Sequence, residues 1–120
     1  MTTITENNRA GDFLLSEANG TYSRENEILV TGNDLQAGAV LGQITASGKF
    51  TVLAPAASDG SEDAAGILLA TINATADTAV VVVVRDAEVK ADQLVWPEGI
   101  TTNDKNAAIA QLAALGIVLR

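Results

Sequence analysis

The 120-residue chain contains no cysteine, no histidine, two prolines and four aromatic residues. Without cysteine there is no disulfide framework and no thiol nucleophile; without histidine as well, His-dependent triads and zinc fingers are excluded. Positive charge is scarce too. Seven Lys plus Arg stand against fifteen Asp plus Glu, a formal net charge of −8. The basic residues are scattered from Arg9 to Arg120, and binding a phosphate backbone or an anionic membrane needs them clustered, so neither partner is expected. The longest apolar run, residues 79–84, is six residues, far short of the roughly 20 that a membrane helix requires. No signal pattern opens the chain, which predicts a soluble protein without an N-terminal signal. At this length a folded chain buries about 65% of the surface it exposes when unfolded, enough for one unstapled domain.

What is present is a succession of short apolar runs separated by turn residues. Residues 1–12 (MTTITENNRAGD) are polar, with Ile4 the only sizeable apolar residue after Met1, and cannot add much to a core. They read as an extended arm whose TTIT stretch suits pairing with another chain's sheet edge; a frayed terminus is the plainer alternative. From Phe13 onward the pattern predicts a short run at 13–15, an Asn19-Gly20 turn and a strand around 28–31. A hairpin follows, with strands at 40–45 and 50–53 around Ser47-Gly48-Lys49, then a Pro- and Asp-rich loop at 54–63. Further strands are predicted at 66–72, 78–84 and 87–90.

The run TAVVVVV at 78–84 is the strongest strand signal, because β-branched side chains favour the pleated conformation. Val80, Val82 and Val84 point one way and Val81 and Val83 the other, so both faces are apolar. Such a strand is either covered on both sides or has one side waiting for a partner. After a break at Leu94-Val95-Trp96-Pro97-Glu98-Gly99 the period changes to helical. Thr102, Asn103 and Asp104 offer capping oxygens, Ile109, Leu112 and Leu115, with Ala108 and Ala113 beside them, form one apolar face over 107–115, and Gly116 stands where a C-terminal cap belongs. Residues 117–119 close the chain as a short strand.

Candidate chemistry is thin. Asp59-Gly60-Ser61-Glu62-Asp63 places three carboxylates in five residues, but it lacks the length and distal Glu of a calcium loop and reads as a solvated acidic turn. Gly38-Ala39-Val40-Leu41-Gly42 has no following Lys-Ser or Lys-Thr and is not a phosphate loop. Ser47 and Lys49, on a hairpin turn, point to solvent, where the lysine activates nothing. Asp86 and Glu88 could do acid/base work as alternate residues on one strand face, a pairing any acidic chain offers by chance. The single Trp96, followed by Pro97, fits a corner anchor and an interface anchor equally.

The ordered set GDFLLSEANGTYSRENEILV, DLQAGAVLGQIT, LAPAASDGSEDAAGILL, AVVVVVRDAEV and LVWPEG resembles the bacteriophage lambda-type head decoration protein (protein D) family from Gly11 to Arg120. The resemblance implies a mainly β, β-clip-like fold of short bent strands with one short C-terminal helix and an extended N-terminal arm. It divides the chain into a capsid-binding arm at 1–12 and a single decoration domain at 13–120. It further implies a homotrimer on the outside of the expanded icosahedral head, at local three-fold positions, bound to the major capsid protein and cementing the shell against internal DNA pressure. On this reading Thr2, Thr3, Ile4, Thr5, Asn7 and Asn8 form the capsid-binding arm. Val81, Val83, Trp96 and Pro97 are candidates for the trimer interface. No cofactor, metal, nucleic acid or membrane is expected as a partner. The competing readings are a small β-clip or barrel module that holds a sugar or other small ligand, and an enzyme resting on the scattered carboxylates.

Overall fold

In the computed structural model, which describes residues 13–17 and 23–120, the elements follow the turn-punctuated sequence. In chain order they are β1 (Leu14–Glu17), β2 (Arg24–Leu29), β3 (Asp34–Leu35), β4 (Val40–Gln43), β5 (Phe50–Val52), β6 (Ala64–Leu68), β7 (Ile72–Asn73), β8 (Thr78–Val83), β9 (Ala87–Val89), the helix α1 (Thr102–Ala114) and β10 (Ile117–Leu119). The fold is mainly β with one short C-terminal helix, as the sequence predicts. Five strands close into a small barrel in the order β2-β5-β4-β6-β8, β1-β9-β10 form a separate sheet, and β3 pairs with β7.

The valine strand organises these parts. β8 pairs antiparallel with β2 over six residues, from Arg24 opposite Val83 to Leu29 opposite Thr78, and with β6 at Ile67 and Leu68. Because successive side chains alternate across a strand, its two apolar faces serve two different cores. Val80 and Val82 point into the barrel with Leu29, Leu41, Phe50 and Leu68. Val83 joins Phe13, Val40, Leu53, Ile67, Val89, Leu112 and Ile117 in a second core on the other side. The neighbouring strands divide alike: Val40 and Ile67 face the second core, Leu41 and Leu68 the barrel. The wall β4-β6-β8 is therefore apolar on both sides for a structural reason.

The second core is roofed by α1 and by the β1-β9-β10 sheet. Thr101 caps the helix, its hydroxyl oxygen accepting from the Asp104 N–H at 3.1 Å, one residue before the capping oxygens read from the sequence. The buried face is also shifted. Ala108 and Leu112 are buried, while Leu115 is 37% exposed at the C-cap, because residues four apart stay aligned on a helix better than a chain of three-residue steps. Gly116 ends the helix at φ 85 and donates to the Ala113 carbonyl at 2.9 Å. A side chain there would also collide with Asp86, whose backbone nitrogen would lie 3.2 Å from the new carbon.

The 40s hairpin forms with Leu41 opposite Val52 and Gln43 opposite Phe50. Its strands are shorter than predicted, since the Ile44 carbonyl already accepts from the Gly48 N–H at 2.8 Å and the Thr45 N–H leaves the hairpin for the Asp59 carbonyl at 2.8 Å. Conversely, β2 begins four residues earlier than the predicted strand at 28–31. Its start, Arg24-Glu25-Asn26-Glu27, carries no apolar signal and is held by pairing with β8.

Two substitutions test this architecture by chemical denaturation. Leu112→Ala, at 0% exposure, is expected to destabilise by about 2–5 kcal/mol, the usual range for emptying a packed leucine site. At Gly42 a Cβ would meet the Ser61 backbone, with Cα at 2.7 Å and C at 2.8 Å as well as the carbonyl oxygen. Gly42→Ala is therefore expected to lose about 1–3 kcal/mol through forced backbone displacement.

Candidate assembly surface

The residues singled out from the sequence do not converge on one place. Thr2, Thr3, Ile4, Thr5, Asn7 and Asn8 lie outside the described residues. Val83 sits at 0% exposure in the second core and has no surface left for a neighbouring subunit. Val81 is half-buried and lines a surface trough. Trp96 and Pro97 are also half-buried, at the corner before α1, where Val95 bridges to Ala39. Trp96 packs against the second core from outside, and the Lys105 ammonium lies 5.4 Å from its ring centroid, a cation–π contact joining the corner to the first turn of the helix.

The trough that Val81 lines measures about 270 Å³ and is mostly apolar, with Asn26, Leu69, Ile72 and Ala79 on its walls. It opens where β6 and β8 part. Beyond Leu68 the Leu69 N–H still donates to the Val81 carbonyl at 3.1 Å. Sequence reasoning missed Leu69, Ile72 and Ala79 as a group, because only the pairing of β8 with β6 and β2 brings them together. On the β1-β9-β10 sheet Leu15 is 47% and Val118 42% exposed, with Glu88 opposite Val118 on the middle strand.

The acidic residues are engaged locally. Asp59 accepts from the Ser61 N–H at 3.0 Å and the Ser61 hydroxyl at 2.5 Å, which holds its carboxyl below the usual range. Glu62 accepts from the Gly60 N–H at 2.8 Å, and Asp63 from the Gln111 side-chain amide at 2.9 Å. The Asp59 to Asp63 loop thus spends its carboxylates on its own turn and on the helix. Asp86 does not stand in a strand with Glu88. It occupies a turn before β9 at φ 47, with its carbonyl accepting from the Ser23 hydroxyl at 2.8 Å, so the two carboxylates are not alternate positions of one strand face. Among the described residues there is no group of three or more acidic side chains placed to hold a metal, and no helix is long and apolar enough to cross a membrane.

Two carboxylates titrate in opposite directions. Lys49 does not merely point to solvent: its ammonium pairs with Asp77 at 2.7 Å, while the other Asp77 oxygen accepts from the Thr31 N–H at 2.9 Å. The lysine first, and then that N–H, hold the Asp77 carboxyl below its ordinary value. Glu27 is raised instead, first by burial and then by the neighbouring charge of Glu25, which itself pairs with Arg85 at 2.5 Å. A depressed carboxyl contributes stability that is present above its unfolded pKa and lost as pH falls through the folded one; a raised carboxyl opposes folding at neutral pH and ceases to do so on protonation. Asp77→Asn is accordingly expected to lower Tm at neutral pH. Its deficit vanishes once the pH falls below the usual carboxylate range. Glu27→Gln is expected to raise Tm at neutral pH, with the gain disappearing as Glu27 protonates, at or above that range. Thermal melts of both variants across this pH interval read the two signs directly.

Comparison with individual curated proteins gives no match. Comparison with protein families gives one description that spans nearly the whole chain, Bacteriophage lambda head decoration protein D, matching residues 3–117. The chain belongs to this family of phage capsid decoration proteins.

Proposed function

We propose that the protein cements a phage head: it binds as a homotrimer to the outside of the expanded icosahedral shell, at local three-fold positions, and stabilises that shell against the pressure of packaged DNA. The observation that carries the reading is the family match over residues 3–117. That match reaches into the polar stretch at 1–12, in keeping with an arm, including Thr2, Thr3, Ile4, Thr5, Asn7 and Asn8, that engages the major capsid protein by adding a strand to its sheet. The body at 13–120 is the decoration domain.

The physics of this role needs no chemistry. A ligand that binds the expanded shell and not its alternatives stabilises it by mass action, by about 2.7 kcal/mol per site at a hundredfold excess over Kd. The net charge of −8 supports a position on the outer surface of the virion, away from nucleic acid. The role is structural, without catalysis or cofactor.

Deleting residues 2–12 is expected to leave a folded, self-associated domain that no longer sediments with expanded heads and adds no density at their three-fold positions by electron microscopy. Full-length protein is expected to do both. Undiminished binding by the truncated chain would overturn the role of the arm, and absence of added density with the full-length chain would overturn the cementing role itself.

A further inference from the structure

The loop between β5 and β6 contains a chemically vulnerable dipeptide, Asp59-Gly60. Glycine has no side chain to hinder its amide nitrogen from closing on the preceding carboxyl carbon. Nor can another residue take its place. Gly60 lies at φ 106, and a Cβ there would meet the Thr45 hydroxyl oxygen, the Gln43 carbonyl oxygen at 2.6 Å and the Thr45 nitrogen at 2.9 Å. Conformation and space both demand glycine, so protection of the bond falls to its neighbours. Asp59 itself is exposed and open to water.

Each reacting group is tied to a partner other than the one it would attack. The Gly60 N–H, the nucleophile of a ring closure, donates to a Glu62 carboxylate oxygen at 2.8 Å. The Asp59 carboxylate, the electrophile, is drawn to Ser61 by the N–H at 3.0 Å and the hydroxyl at 2.5 Å. These bonds also hold the carboxyl below its ordinary value and so keep it ionised, whereas ring closure needs the protonated acid, from which water can leave. The peptide plane between the two groups is pinned at its other edge, where the Asp59 carbonyl accepts from the Thr45 N–H at 2.8 Å. Turning the nitrogen onto the carboxyl carbon breaks these contacts together.

We propose that Asp59-Gly60 is a latent isomerisation site and that Ser61 and Glu62 are the residues that keep it closed. In the reaction the Gly60 nitrogen bonds to the Asp59 carboxyl carbon, and the carboxyl hydroxyl leaves as water with the amide hydrogen. The five-membered succinimide then takes water back at either carbonyl. Opening at the side-chain carbonyl restores aspartate. Opening at the backbone carbonyl leaves isoaspartate, whose main chain runs through the former side chain and is longer by one carbon. No reagent besides water is needed. The lengthened chain pulls the loop from Thr45 and thus from the end of the 40s hairpin. The inference is independent of the proposed function.

The test is prolonged incubation of the folded full chain at neutral pH, with isoaspartate read by isoaspartyl methyltransferase labelling and peptide mapping. Trypsin places Asp59 in the peptide of residues 50–85 and the chain's other Asx-Gly pair, Asn19-Gly20, in that of residues 10–24, so the two are counted separately. Asp59→Glu, whose longer side chain cannot close a five-membered ring, assigns the signal. Wild type is expected to isomerise far more slowly folded than in denaturant. Ser61→Ala and Glu62→Ala are each expected to speed the reaction at Asp59 by about tenfold, the effect of losing one hydrogen bond to a charged group on local opening, with the 10–24 peptide unchanged. Phe13→Ala, which destabilises the chain through the second core rather than the loop, is expected to keep the wild-type rate at Asp59. Wild-type rates in both S61A and E62A overturn the proposal, as does equal acceleration in F13A. A slower reaction in E62A overturns it too, because Glu62 would then act as a base that promotes closure.

Discussion

The fold depends on one constraint: a strand that is apolar on both faces must have both faces covered. β8 meets it along its C-terminal half by standing between two cores, with Val80 and Val82 in the barrel and Val83 under the helix and the second sheet, while on the outer face Val81 is half-buried and Ala79 exposed. Fully burying a valine is worth about 1.5–3 kcal/mol, so leaving either side in water would forfeit a large part of the margin of a small domain. Several other elements serve this requirement. β4 and β6 continue the double-sided wall, β2 closes the barrel against β8, and α1 lays Ala108 and Leu112 over the second core.

How much of this was legible in the sequence depended on whether the signal was local. The valine run, the 40s hairpin and Gly116 as helix terminator could be read because their signals lie within a few residues: β-branching, a turn glycine, a change of period. The start of β2 was not legible, since Arg24-Glu25-Asn26-Glu27 becomes a strand only by pairing with residues more than fifty positions away. The same limit applies to the surface. Apolar Val81 and Val83 look equivalent from sequence, and only the placement of α1 and the second sheet buries one of them and leaves the other at a trough. Lys49 seemed free on its turn because Asp77 is 28 residues distant in the chain.

The charged side chains of the described residues are engaged in structure. Asp59 and Glu62 accept hydrogen bonds from groups in their own loop, whereas Asp63 accepts from Gln111 on α1 and Asp77 from the Thr31 N–H and Lys49. These groups rigidify turns rather than prepare a substrate site, and exposed ion pairs such as Lys49 with Asp77 add little to net stability. Arg24 with Glu17 is the better placed of the pairs, with two contacts at 2.6 and 2.9 Å, and it ties β1, the strand next to residues 1–12, to the barrel strand β2.

Charge also sets the terms on which copies of such a chain can assemble. In the proposed homotrimer, three chains of −8 each would bring −24 together (three times −8). Screening at physiological salt acts over about 8 Å, so groups at the periphery of adjoining subunits are largely shielded while groups at the contact are not. An acidic subunit can therefore keep its excess of carboxylate on outward loops at little penalty, provided that the contact surface itself is neutral. The acidic loop at 59–63 is held against α1 and contributes nothing to the mostly apolar trough between β2, β8 and residues 68–72.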